Sequence, residues 1–260
     1  SRAWDEAKAI LAREGHLLAA VALALVVLPQ LVLAVVGVPA GGQATSASRV
    51  IYIAAVLLGF VAQIALNRLA IGPSVRVGDA ITQGFARVLP VFLVLAAVMM
   101  IVGIIAVVVA MLLSAAGVGI LPAAGKQPPA SLLVLLIALT AAATAVFQLV
   151  FPIAAVETGN PLRLFGRSWQ LARGHYLRLL AFIVTVFITL GIVAALTQLG
   201  VGTVILLLVG RPTPGSLSAL LIGIVAGLIQ AAFTVVVAVM QARIYTQIAS
   251  DPERAGEAAR

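Results

Sequence analysis

A chain of 260 residues in which 63% are hydrophobic and 9% charged is too apolar for a soluble domain, where about a quarter of residues carry charge. The absence of cysteine excludes thiol chemistry, thiolate metal sites and disulfides, and a net charge of +8 arises from sixteen Lys and Arg against eight carboxylates. These charges cut the chain into six charge-free stretches, 15–48, 50–67, 88–125, 127–156, 179–210 and 212–242. Each is close to or above the ~20 residues a helix needs to cross a hydrocarbon core, the second with help from its flanks.

The apolar runs are continuous rather than alternating. Helices and closed barrels are the two structures that satisfy every backbone polar group in lipid, and continuity selects the helix. The sequence predicts an all-α polytopic membrane bundle of six transmembrane helices, a single integral membrane domain over 1–260. The spans are placed near 16–37, 50–71, 90–116, 131–156, 177–199 and 218–245.

In chain order, Trp4, Ala7 and Leu11 mark a short amphipathic segment before the first span, in which Pro29 predicts a kink. The length of that span and the acidic segment before it argue for a retained helix rather than a cleaved signal peptide; with no Met at position 1, the native N-terminus is expected upstream. Ser74 is placed to cap a second interfacial helix with the stripe Val77, Ile81 and Val88. After the fourth span, Asn160 as cap and Pro161 at the first helical position predict a third. Its apolar stripe, Leu162, Phe165, Trp169, Ala172 and Tyr176, has 3, 4, 3, 4 spacing, and Arg163, Arg167, Gln170, Gly174 and Arg178 form another face. That pattern belongs to a helix lying in the membrane interface. Glu157, just before it, is expected to lock this elbow, within reach of Arg167 or Arg68. In the sixth span Gly223 and Gly227 form a GxxxG pair, suited equally to packing inside the bundle and to pairing with a second copy.

Sidedness follows from the distribution of positive charge. One side carries Arg2, Lys8, Arg13, Arg68, Arg76, Arg87, Arg163, Arg167, Arg173, Arg178, Arg243, Arg254 and Arg260, the other only Arg49, Lys126 and Arg211. Thirteen against three places both N and C termini in the cytoplasm. The excess positive charge then lies against an anionic leaflet, so lipid headgroups rather than nucleic acid are the expected partner.

Three stretches align: "LAREGHLLAAVAL" at 11–23, "FARVLPVFLVLAA" at 85–97 and "LARGHYLRLLAFI" at 171–183. The first glycine of each outer end recurs at Gly37, Gly117 and Gly200, a period of about 80 residues. Three repeated helical hairpins, over about 1–72, 73–157 and 158–248 with a tail at 249–260, are expected to share one orientation about an axis along the membrane normal.

The run Pro152, Glu157, Asn160-Pro161, Arg167-Ser168-Trp169 and Gly174 resembles the signature of bacterial membrane proteins related to the membrane domain of glycerophosphoryl diester phosphodiesterases. The resemblance is specific over about 30 residues and implies a stand-alone six-helix domain in the bacterial inner membrane. It does not carry over the phosphodiesterase activity, because no soluble catalytic domain follows the spans.

Catalysis would need convergent carboxylates and histidines. His16 and His175 stand at cytoplasmic starts of outward helices at matching repeat positions, neither with a carboxylate in ligand spacing, and are expected as interfacial anchors. No enzymatic activity, metal or cofactor is therefore expected. The span interiors hold Gln30, Gln63, Asn67, Thr140, Thr144, Gln148, Thr185, Thr189, Gln198, Gln230 and Thr234, suited to bonding neighbouring helices at about 0.6 kcal/mol each. The expectation is an accessory, regulatory or membrane-organising subunit, partnered by anionic lipid and by another membrane protein or a second copy. The alternative is transporter-like handling of a lipid or weakly polar solute through a central cavity.

Overall fold

Chains of apolar residues with no water to bond their backbones must close their hydrogen bonds locally, and the described residues of this one do so almost entirely as helix. The computed structural model describes residues 2–36, 46–72, 75–115, 130–157, 160–211, 213 and 215–249, and among these no strand occurs. The elements are α1 (Arg2–Ala22), α2 (Leu28–Val36), α3 (Ser46–Ile71), α4 (Val77–Ala115), α5 (Ala130–Phe147), α6 (Val150–Val156), α7 (Pro161–Arg173), α8 (Tyr176–Thr197), α9 (Thr203–Val209) and α10 (Leu217–Ala249). Among the described residues, six helical segments are long and apolar enough to cross a membrane: Glu6–Val36, Ser46–Ile71, Val77–Ala115, Leu132–Val156, Tyr176–Val209 and Leu217–Ala249. Along α4 alone, Leu89, Met100, Ile104, Met111 and Leu112 are more than half exposed. Such a belt would drive a soluble protein to aggregate and is matched by lipid tails. The chain is built as a multi-pass membrane protein.

The helix limits differ from expectation wherever a terminating signal was read as stronger than the apolar run around it. The segment around Trp4 and the first span form one path, α1 passing through Gly15 and a widened turn at Leu23–Val27 into α2. That turn lies just before Pro29, whose ring has no N–H to give and crowds the carbonyl four residues back, so the predicted kink is met by opening the turn. The second interfacial helix also has no separate existence. Val77–Ala115 is a single helix of 39 residues with Pro90 inside it, because one lost bond does not stop a helix whose neighbouring turns keep theirs. The fifth span does not end near residue 199. A widened turn at Gln198–Gly202 carries it into α9, so Gly200, expected in an outer loop, sits in a helical turn. Gly37 and Gly117, its expected counterparts, and Ser74 lie outside the described residues.

Two breaks are real. Pro152 cannot donate to the carbonyl of Gln148, and the fourth span turns at Gln148–Leu149 between α5 and α6. Gly174 and His175 separate α7 from α8, with His175 N–H donating to Ala172 O at 2.9 Å and Leu179 N–H to His175 O at 3.0 Å. Among the described residues, only the third interfacial helix is therefore a distinct element.

The chain groups into two compact units, one of Ser1–Leu89, Phe151–Thr158 and Val186–Arg260, the other of Pro90–Val150 and Gly159–Thr185. In the first unit α10 packs against α1, α2 and α3. Its core is made of small and branched side chains, among them Leu18, Val21, Ala62, Leu66, Ala238 and Val239. Small residues allow close backbone approach, the main source of helix association in lipid. A Cβ at Gly223 would stand 2.6 Å from that of Ala34, and one at Gly227 would stand 3.2 Å from Val27 Cγ1. The GxxxG pair is thus spent inside this unit, against the first span. In the second unit α7 packs against α5, with the rings of Phe147 and Phe165 stacked at 4.9 Å between centroids.

Candidate functional site

Helix C-termini leave carbonyls without intrahelical donors, and in the first unit long polar side chains from other helices supply them. Arg87, on α4, donates to the carbonyls of Ala154 and Glu157 at the end of α6, the second at 3.1 Å, and Gln83 Nε2 donates to Ala155 O at 2.8 Å. Arg243, on α10, donates to Ala70 O at the end of α3 at 3.1 Å and lies 4.0 Å from the Glu6 carboxylate of α1. Cations at helix C-termini also meet the negative end of the helix dipole, so each contact combines a hydrogen bond with a favourable field. Sequence reading did not identify these roles, because the arginine and the carbonyl it caps come from different helices.

Glu157 receives a hydrogen bond from the Tyr245 hydroxyl at 3.1 Å. Tyr245, buried near the end of α10, was not singled out from the sequence, although a Tyr buried at a helix end needs a partner for its hydroxyl. Arg68, proposed from sequence as a partner of Glu157, is half-buried near the end of α3, and its Nε is enclosed without an acceptor. Deeper in the unit, Gln63 Nε2 donates to Gln241 Oε1 at 2.9 Å, and the fully buried Asn67 donates to Gln63 O at 2.8 Å. Gln63 thus joins α3 to α10 as expected of a span-interior glutamine.

Beside that bond a cavity of about 340 Å³ opens in the first unit. Gln30, Gln63, Gln230 and Thr234 line it with Tyr52 and Phe60, and none of its described lining residues is charged. Carboxamides offer both donors and acceptors, so the wall can satisfy a neutral polar group surrounded by apolar surface.

On α7 the buried edge is Leu164, Ser168, Leu171 and Ala172, while Leu162, Trp169, Arg163 and Arg173 are exposed, as is Arg178 at the start of α8. Arg167 and His175 are half-buried. Asn160 holds the extended cap conformation, but its backbone carbonyl rather than its side chain serves the first turn, accepting from Arg163 and Leu164. His16 is exposed on α1 in the first unit and His175 belongs to the second. Among the described residues no group of three or more His, Asp or Glu is arranged to hold a metal ion.

A family model described as "Domain of unknown function (DUF7847)" matches residues 2–248. No curated protein and no solved structure matches the chain.

Proposed function

We propose that this chain, which belongs to the DUF7847 family of domains of unknown function, acts by binding rather than by catalysis, holding a lipid or weakly polar solute within the membrane. The observation that carries this reading is the cavity walled by Gln30, Gln63, Gln230 and Thr234. At about 340 Å³ it falls within the ~300–1,000 Å³ typical of ligand sites. The uncharged wall suits a neutral polar group better than an ion. The use of Arg87, Arg243, Tyr245 and Glu157 to tie helix ends together supports a structural role for these ionisable groups, none of which lines the cavity.

The setting belongs to the same proposal: a bacterial inner membrane, both termini in the cytoplasm, which the thirteen-to-three distribution of positive charge supports, and three repeated helical hairpins. The likeness to the phosphodiesterase membrane domain around Trp169 is carried as a proposed kinship of that segment.

A second reading, an accessory or membrane-organising subunit, is favoured by the fifth span. Only 11% of the apolar window of Tyr176–Val209 is buried by the chain itself, and Leu199, Leu207 and Leu208 are 74%, 78% and 80% exposed. Native mass measurement of the gently extracted protein separates the two. A retained small molecule or lipid that is lost in Gln30→Leu with Gln230→Leu supports handling. A stoichiometric protein partner with no retained ligand overturns it in favour of the accessory reading.

A further inference from the structure

The second unit contains a site that neither reading uses. Between α4, α5 and α7 lies a cavity of about 610 Å³, lined by Val98, Ile101 and Ile105 from α4, Leu139 from α5, and the stacked pair Phe147 and Phe165. Trp169, Arg173 and Tyr176 also belong to its wall. Arg173 and Tyr176 belong equally to a second cavity of about 400 Å³, whose other lining includes His175 and Arg178. An apolar chamber and a basic chamber thus share a wall at the elbow between α7 and α8.

The charge around that wall is one-sided. Residues 90–150 and 159–185, which make up the unit, include Lys126, Arg163, Arg167, Arg173 and Arg178 and not one carboxylate. An anion that neutralises the exposed guanidiniums of Arg173 and Arg178 must come from outside the unit. Arginine suits phosphate best, because its fork makes paired, charge-assisted bonds to two oxygens. Trp and Tyr rings at the wall are the side chains that settle at headgroup depth in a bilayer. Apolar side chains, aromatic rings and guanidiniums thus line adjoining spaces, the three chemistries that the parts of a phospholipid call for.

We propose that this unit binds an anionic phospholipid, one acyl chain in the cavity beneath Trp169 and its phosphate held by Arg173 and Arg178. Each methylene placed in the chamber is withdrawn from the bulk bilayer at little net gain, so the chain supplies fit and the headgroup supplies preference. The site lies in the second unit and does not depend on the cavity proposed above to hold a solute.

The test uses Trp169 as its own reporter. Trp4 and Trp169 are the two tryptophans of the chain, so Trp4→Phe leaves one. The full chain is reconstituted in phosphatidylcholine vesicles containing a fixed fraction of phosphatidylglycerol or phosphatidylcholine brominated near the glycerol end. Brominated phosphatidylglycerol should quench Trp169 more than brominated phosphatidylcholine. The preference should fall by about five-fold for each arginine neutralised in Arg173→Gln and Arg178→Gln. Ala143→Phe, which puts a ring into the chamber wall, should weaken quenching by the brominated phosphatidylglycerol. Soluble glycerol phosphate at equal concentration should not relieve the quenching. Equal quenching by the two lipids, measurable without those three substitutions, overturns the proposal. So does a preference that survives loss of both arginines, and so does relief by glycerol phosphate, which would leave a phosphate site with no role for the acyl chain.

Discussion

At the scale of single residues, the chain uses its few polar groups to close gaps that helices leave. Glu157 stood out in the sequence as a carboxylate at the end of an uncharged span, and one partner the structure gives it, Tyr245, is 88 residues away, where no local pattern joins the two. A hydrogen bond to a charged acceptor is worth about 1.5–3 kcal/mol. Tyr245→Phe and Glu157→Gln should each lower thermal stability in detergent. The double variant should lose clearly less than the sum, since Tyr245→Phe deletes the donor and Glu157→Gln leaves it only a neutral amide acceptor. Strictly additive losses would show that the hydroxyl and the carboxylate act separately. Arg87 was legible only as a positive charge on one side of the membrane. Its work at the end of α6 depends on which helices meet, and that information is spread over the whole chain.

At the scale of elements, the existence and number of the spans were readable from charge-free length, whereas their ends were not. Pro90 and Gly200 read as boundaries and proved to lie inside helices, because a helix in lipid has no water to which it can surrender its backbone bonds. Pro152 and Gly174, the same residue types, do coincide with breaks, and composition alone does not separate the two cases. Glycines divide in the same way. A Cβ at Gly84 would come within 2.9 Å of Val61 O, a backbone atom that cannot step aside, while nothing lies within 4 Å of Gly103. Gly84→Leu is expected to cost about 1–3 kcal/mol through overpacking of α4 on α3. Gly103→Ala should be neutral or raise the melting temperature, by up to about 1 kcal/mol in helix propensity. Thermal melts of the pair in one detergent check both, and equal losses would show that the close approach at Gly84 is not special.

At the scale of the whole molecule, membrane class and span number were present in the sequence, but the grouping of helices into two compact units was not, since it depends on contacts rather than on hydropathy. The proposed sidedness is directly measurable, and the cysteine-free chain is a ready background. Single cysteines at Ser46, Ala124 or Pro214 should react with an impermeant thiol reagent added to intact cells, and one at Arg163 should react only after lysis. The reverse pattern would invert the topology, and labelling of all four only after lysis would remove the six-span arrangement.

The length of α10 has a mechanical consequence. Its charge-free part, 217–242, is 26 residues, about 39 Å at ~1.5 Å per residue, against a hydrocarbon core of ~30 Å. A span too long for its bilayer must tilt or thicken the lipid around it, at a fraction of a kcal/mol for each ångström of mismatch. Because α10 is packed along α1, α2 and α3, it cannot lean alone, and the mismatch is shared by the helices bound to it. Bilayer thickness therefore acts on the first unit through α10, which meets the first span most closely at Gly223 and Gly227.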